Sequence, residues 1–480
     1  MGVFILVSWK ARTSQKGTSM VKVVKFGGSS LANAAQYQKV IEILRADPER
    51  RIVVVSAPGK RFKDDVKVTD LLIKYANASG ENVKVARQAV LDRYQEIADA
   101  YHVSDSDFEQ INVHLIDLAN LHHANKACRL AHFKAAGERL NAILMALVLK
   151  KFNVTARFVD PKQLGIKAHG DYNNAILDQH SYAQIEAVCS NLLDEAEYLV
   201  VPGFYAYNQN GEVCTFSRGG SDITGAILAR GFQAQLYENF TDVDSIYSAD
   251  PKIIAQPHPI REMTYREMRE LAYAGFSVFH DEAIIPAIEA QVPIVIKNTD
   301  HPNLSGTVIE PEQNYASDLE ITGVASSSRF AALYIHKYLL NREVGFTLKL
   351  LKILYRYDIS YEHMPSGIDD LTIIFNQNQI TDEILPSLLS DIREELRTDQ
   401  LEWIDDYAIL MVVGEGMRDK VGVVDRIVNA LARKQIGIQM INQGASRIST
   451  MLGVHQNQVN QAVREIYREF FKNKGRQTDD

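Results

Sequence analysis

Six short runs of apolar, strand-like residues recur over the first 300 positions, and helical patterns separate them. The runs are "VKVVKF" (21–26), "RIVVVSA" (51–57), "VTARFVD" (154–160), "YLVVPGF" (198–204), "AQLYENF" (234–240) and "VPIVIKN" (292–298). Several are apolar on both faces, the pattern of parallel strands covered on each side. Stretches between them, such as "ANAAQYQKVIEILRA" and "SDITGAILARGF", carry the helical repeat. Strands alternating with helices predict an α/β domain of three layers, a sheet sandwiched by helices. Residues 78–150 contain few glycines or prolines and predict a long helical insert in that domain.

At 480 residues the chain is too long for one ordinary core. After "HPNLSGTVIEPEQNYASDLE" (301–320) the pattern changes. Two successive stretches each read strand, turn, helix, strand, an internal repeat of about 75 residues typical of small α+β modules. The expected organisation is a disordered extension over 1–19, a catalytic domain over 20–310, a linker over 311–320, and modules over 321–400 and 401–475. The extension is not expected to be a targeting signal. Its apolar "VFILVSW" is short and is followed by Lys10, Arg12 and Lys16, which inverts the signal-peptide order. "GEGMRDKVG" is no dinucleotide fingerprint, because Asp419 stands where the third glycine is needed.

Net charge is −8, which argues against a general nucleic-acid or membrane-surface binder. Cys128, Cys189 and Cys214 lie far apart with no C-x-x-C spacing, so neither a disulfide framework nor a zinc site is expected. A reducing cytoplasm is the natural compartment. No apolar run approaches a membrane span.

Two loops carry the chemistry. In "KFGGSS", Gly27 and Gly28 let backbone N–H groups approach a ligand, and Ser29 and Ser30 add donors or a helix cap. Lys25 stands at the strand's end, where a parallel sheet opens its ligand crevice. The spacing is not that of a Walker A loop. In "FSRGGSDITGAILA", Gly219 and Gly220 again join a strand to a helix. Arg218 offers a planar fork for carboxylate or phosphate, while Ser221 and Asp222 are also good cap residues. Two such turns suit a grip on a chain of phosphates from two sides. Less specific are Glu138 in "AAGERLNA", Ser56 at a strand end, and "TDVDSIYSADPK", where Tyr247 suits stacking and Lys252 suits a phosphate. His280 has no metal-ligand partner at useful spacing and is expected to be packed.

Together these residues resemble the aspartokinases of the amino-acid kinase superfamily, in the monofunctional form with tandem C-terminal ACT domains. The resemblance covers residues 20–475 and rests on "KFGGSS", "GERLNA", "SRGGSDITGAILA", "TDVDSIYSADPK", "AGFSVFHDEAIIPA", "IKNT" and the paired modules. It implies transfer of the γ-phosphoryl group of ATP, with Mg²⁺, to the β-carboxylate of L-aspartate. By the family pattern Lys25 and Asp222 are catalytic. Lys25, Gly27, Gly28, Ser29, Gly219, Gly220, Thr241, Asp242, Tyr247 and Lys252 bind ATP. Ser56, Glu138, Arg218, Ser221 and Asp222 bind aspartate. The ACT-like modules imply feedback by an end-product amino acid, lysine with or without threonine, through Arg342, Gly345, Phe346, Ser360 and Glu362. They also imply a homodimer or higher homo-oligomer. Competing readings are a kinase of glutamate or N-acetylglutamate and a silent amino-acid sensor. The chain departs from the pattern at Ser245, Lys252, Ser277 and Asp281. Lys297 in "VIKNT" is expected to supply the positive charge missing at Ser277.

Overall fold

The computed structural model describes residues 21–217, 219–276, 281–311 and 319–471. They form two compact units. The first holds the described residues up to Asp244 together with Glu282–Gly306, and the second holds those from Ser245 to Asp281 and from Thr307 onward. The stretch expected as one catalytic domain, 20–310, is therefore divided between the two.

In the first unit all six predicted runs become strands of one parallel sheet. They are β1 (Lys22–Phe26), β2 (Ile52–Val55), β3 (Ala156–Phe158), β4 (Tyr198–Pro202), β5 (Leu236–Thr241) and β6 (Ile294–Asn298). The pairings give the order β6-β5-β1-β2-β4-β3. Every residue of β2 and β4 is buried, as apolar runs without alternation require. All six strands point the same way, so the loops leaving β1, β2, β4, β5 and β6 gather along one edge.

Helices α1 (Ala34–Arg45), α2 (Val68–Asn77), α3 (Asn82–Ala100), α4 (Asp105–Asn120), α5 (Lys126–Lys150), α6 (Ser181–Glu195) and α7 (Gly220–Gly231) complete this unit's main frame. The predicted helical insert is α3 to α5. Its apolar stripes close a core with the sheet through Tyr94, Ile97, Leu115, Phe133 and Leu140. Asn125 caps α5 by accepting the Cys128 N–H at 2.8 Å.

The second unit contains helix α8 (Tyr265–Tyr273), whose Thr264 and Glu267 form a capping box. It also contains a five-stranded antiparallel sheet of β7 (Gly323–His336), β8 (Asp370–Asn376), β9 (Gln400–Val413), β10 (Met440–Asn442) and β11 (Ser449–Val454), in the order β8-β7-β9-β11-β10. Four helices accompany it: α9 (Phe346–Arg356), α10 (Ile384–Leu396), α11 (Val423–Ala432) and α12 (Val459–Phe471). The two α+β modules interleave. Strands β7 and β9 run the length of both, with register shifts between Ser327 and Ala332. One core gathers Leu333, Phe346, Leu350, Phe375 and Leu388, the other Val324, Leu410, Ile427, Leu452 and Ile466. A linear boundary at 400/401 falls at the start of a strand that serves both cores.

Residues 359–369, between α9 and β8, make isolated bridges at His363 and Ser366 and no regular strand. Pro365 and Gly367 account for the interruption, since one lacks a ladder donor and the other weakens a strand. No helix among the described residues is long and apolar enough to cross a membrane.

Candidate active site

Lys25 is the penultimate residue of β1, and its side chain is buried against β5. Its Nζ lies 2.7 Å from Asp222 Oδ1 and 3.3 Å from Asn239 Oδ1. Asn239 Nδ2 in turn donates to Asp222 Oδ1 at 2.8 Å. The pairing of Lys25 with Asn239 across β1 and β5 puts both side chains on one face of the sheet. Asp222 reaches them from the first turn of α7. A cation, a carboxylate and an amide thus meet at the sheet edge, from three distant parts of the chain.

The loop after β1 is fixed from below. Gly27 N–H donates to the Phe240 carbonyl at 3.1 Å, and the Gly28 carbonyl accepts from Gly59 N–H at 2.8 Å. Gly28 and Gly59 touch closely: a Cβ on Gly28 would stand 2.8 Å from the Ala57 carbonyl oxygen, and one on Gly59 would stand 2.7 Å from Gly28 backbone atoms. Buried Arg93 holds the Gly59 side of this contact, donating to the Gly59 carbonyl and to the Val66 carbonyl, each at 2.7 Å. Ser29 is exposed at the start of a single 3-10 turn, while Ser30 is buried and shares a 2.7 Å hydrogen bond with Thr299. Sequence reasoning missed Gly59, Arg93 and Asn239. The only signal for the first was the glycine in "SAPG", and nothing in the sequence marks the other two.

The second glycine loop opens α7. Gly219 has φ +78°, a left-handed conformation that suits glycine. Gly220 packs against Phe204, itself left-handed at φ +77° and held by its N–H to the Thr224 hydroxyl at 3.0 Å. A bulky aromatic at positive φ is uncommon and marks a strained turn at this edge. Ser221 is buried against Gly203, where a Cβ would come within 2.6 Å of its Oγ. Arg218 lies outside the described residues, as do Ser277 and His280.

Glu138 comes from the middle of α5 and is buried. Burial pushes its carboxyl up to about 8, and its Oε2 has no hydrogen-bond partner among the described residues. A buried, unpaired carboxylate oxygen is costly unless a ligand supplies the donor. Asn141, one turn along α5, donates to the Ser56 carbonyl at 2.6 Å and accepts from Tyr37, so α5 is anchored to the end of β2. Thr241 ends β5 with its carbonyl accepting from Thr299 N–H at 3.0 Å, and its hydroxyl donates to the exposed Asp242 at 3.2 Å.

Tyr247 and Lys252 belong to the second unit. Tyr247 pairs with Pro259 in a short antiparallel ribbon, Lys252 is exposed, and Ser245 is buried. The expectation for Lys297 is corrected. Its register partner is Phe240, so it occupies the sheet face opposite Lys25 and Asn239. There its ammonium sits 5.8 Å from the Phe240 ring centroid, and burial lowers its pKa.

In the second unit Gly345, at φ +80°, leads into α9, whose first residue Phe346 is buried. Arg342 ends the preceding 3-10 turn. Ser360 donates from its N–H and hydroxyl to Gln379 at 2.9 and 2.8 Å. Glu362 accepts from the Tyr273 hydroxyl of α8 at 2.6 Å.

The amino acid kinase family model matches residues 20–298, and an ACT domain model matches residues 410–470. The chain is 45% identical over 454 residues to Aspartokinase 3 of Bacillus subtilis, covering 94% of this chain and 99% of that one. It is 24% identical to the chloroplastic Aspartokinase 1 of Arabidopsis thaliana over 94% of this chain and 80% of that one. Among solved structures, Clostridium acetobutylicum aspartate kinase matches with a TM-score of 0.81 and 34% identity, over 94% of this chain and 100% of that one. Escherichia coli aspartokinase III, solved with aspartate and ADP, shares the fold at a TM-score of 0.74 and 22% identity, over 94% of this chain and 100% of that one. The chain belongs to the amino acid kinase family and, within it, to the aspartokinases.

Proposed function

We propose that this protein phosphorylates the β-carboxylate of L-aspartate with ATP, and that the edge around Lys25 is where it does so. The observation that carries the reading is the Lys25–Asn239–Asp222 cluster, set between two glycine loops at the carboxyl ends of parallel strands. The nucleophile is already a carboxylate, so no side chain must remove a proton from it. A new bond forms from a β-carboxylate oxygen to the γ-phosphorus as the bond to the bridging oxygen of ADP breaks. The task left to the protein is to align two anions and offset the charge spreading over the phosphoryl oxygens.

Lys25 supplies that charge, held in place by Asp222 and Asn239. Gly27, Gly28, Ser29, Gly219 and Gly220 present backbone donors to the phosphates, and Thr241, Asp242, Tyr247 and Lys252 serve the rest of the nucleotide. Mg²⁺ carried on the phosphates would neutralise their charge, with Asp222 a carboxylate suited to it at this edge. Glu138 receives the aspartate ammonium, which its unpartnered Oε2 supports. Ser56, Arg218, Ser221 and Asp222 complete the aspartate pocket.

The ACT modules serve feedback by lysine, with or without threonine, through Arg342, Gly345, Phe346, Ser360 and Glu362. A ligand there acts by favouring one arrangement of the protein over another. Escherichia coli aspartokinase III has been solved with lysine and aspartate, and shares the fold at a TM-score of 0.73. Assembly into a homo-oligomer is supported by exposed apolar side chains on the first module, Tyr338, Leu339, Val344, Leu348, Tyr355 and Ile368, with Val344 at 95% exposure. The free state of Cys128, Cys189 and Cys214 supports a reducing cytoplasm. A coupled ADP-release assay with aspartate, glutamate and N-acetylglutamate as acceptors tests the reaction. Turnover on aspartate alone is expected, and turnover on glutamate but not aspartate would overturn it.

A further inference from the structure

Away from that edge, where α4 hands over to α5, three metal-ligating side chains converge. His123 lies in the connection between the helices, and Cys128 and His132 follow one turn apart on α5. One ligand atom from each lies within 4.8 Å of the other two. Cys128 Sγ is 3.6 Å from His132 Nδ1. Bond lengths of about 2.3 Å to sulfur and 2.0 Å to nitrogen in a tetrahedral site put such a pair about 3.5 Å apart. A candidate fourth donor stands beside the cysteine: Glu212 Oε1 is 3.8 Å from Cys128 Sγ. Glu212 is itself oriented by the Tyr172 hydroxyl at 2.6 Å and by Asn208 Nδ2 at 3.0 Å, the outer support that metal-binding carboxylates usually have.

We propose that His123, Cys128, His132 and Glu212 form a binding site for one divalent transition-metal ion of the Zn²⁺ class. Thiolate and imidazole donors select Zn²⁺ or Co²⁺ over Mg²⁺, which takes oxygen ligands. The site is therefore separate in chemistry from any Mg²⁺ that accompanies ATP. Absence of a C-x-x-C spacing argued against zinc in the sequence. The fold supplies what spacing does not, because His123 turns back onto α5 (its ring centroid is 5.0 Å from that of His132) and Glu212 arrives from a distant hairpin. His132 Nδ1 also lies 3.0 Å from the Cys128 carbonyl oxygen, a bond that ligation through this nitrogen replaces. Binding converts the Cys128 thiol to a metal-bound thiolate and releases its proton to the buffer. The ion would tie the α4–α5 connection and the 208–212 turn to α5, the helix that also carries Glu138.

The test is titration of untagged, chelator-treated full-length protein with Zn²⁺ by calorimetry and with Co²⁺ by absorbance, in millimolar Mg²⁺. One ion per chain, a thiolate-to-cobalt charge-transfer band, one proton released, and a Zn²⁺-dependent rise in Tm are expected. Cys128→Ser should abolish the band and weaken Zn²⁺ binding at least about 100-fold, the upper range for losing a site component. His123→Ala, in the connection between the helices, should weaken it as well. No saturable binding in the wild type, or binding and a band that persist in Cys128→Ser, would overturn the proposal.

Discussion

Lys25 and Asp222 form an ion pair at 2.7 Å, with side-chain exposures of only 9% and 16%, and Asn239 bonds to both. A buried pair of this kind is weak evidence for stability, because desolvation offsets much of the attraction. In the proposed reaction, its position at the carboxyl edge of the sheet gives it a part in phosphoryl transfer instead. Asp222→Asn leaves Lys25 without its counter-charge. The expected outcome is a fall in kcat of about 10²-fold or more, with a loss of about 3 kcal/mol in stability measured by urea unfolding.

In the proposed aspartate pocket, Glu138 links pH to both stability and substrate binding. Its folded pKa of about 8 lies above the ordinary 4.5, so the folded protein holds a proton that the unfolded chain has released. Between those two values the folded state binds more protons, and stability falls as pH rises, by at most about 1.4 kcal/mol per pH unit. Above about pH 8 both states are ionised and the slope vanishes. Glu138→Gln removes that slope, so without aspartate the variant should gain in Tm over the wild type from about pH 5 to 8. The same variant should raise the aspartate KM sharply, and wild-type aspartate affinity should improve as pH climbs towards 8. Thermal melts and initial rates across this window check both.

Gly59 packs against the Gly27–Gly28 loop that we propose holds the phosphates. A methyl group there would press on the Gly28 backbone and on Ser29 N, which is 2.9 Å from the Cβ position. Gly59→Ala should lower kcat/KM for ATP by about 10²-fold, the usual cost of a misplaced binding loop, while aspartate binding measured by calorimetry is kept.

Lys297 should be dispensable for catalysis. It lies over Phe240 on the face opposite Lys25. Lys297→Ala is expected to leave the ATP KM unchanged in steady-state assays and to cost about 0.5–1 kcal/mol of stability through the lost cation–π contact.

Much of this was legible in the chain. All six parallel strands stood out because a strand buried on both faces must be apolar throughout, and the two glycine loops stood out because few other residues allow such close backbone approach. Strand order was not legible, since pairing depends on crossovers the local sequence does not encode. For that reason Asn239 passed as an ordinary residue of "AQLYENF", although the order β5-β1 makes it the bridge between Lys25 and Asp222. Arg93 and Gly59 were missed for the same reason: each matters through a contact with a distant turn. Lys297 was misplaced because its side of the sheet follows from register, not from its neighbours in sequence. The two C-terminal modules were read as consecutive, whereas β7 and β9 each run through both.

The central claim is that Lys25 acts on the transferring phosphoryl group and not on aspartate binding. Lys25→Ala, assayed for ADP release and in parallel for aspartate binding by calorimetry, tests it most directly. The account predicts a loss in kcat on the order of 10²–10³-fold with aspartate affinity largely kept. A variant that retains wild-type turnover, or that loses aspartate binding in proportion to turnover, would contradict it.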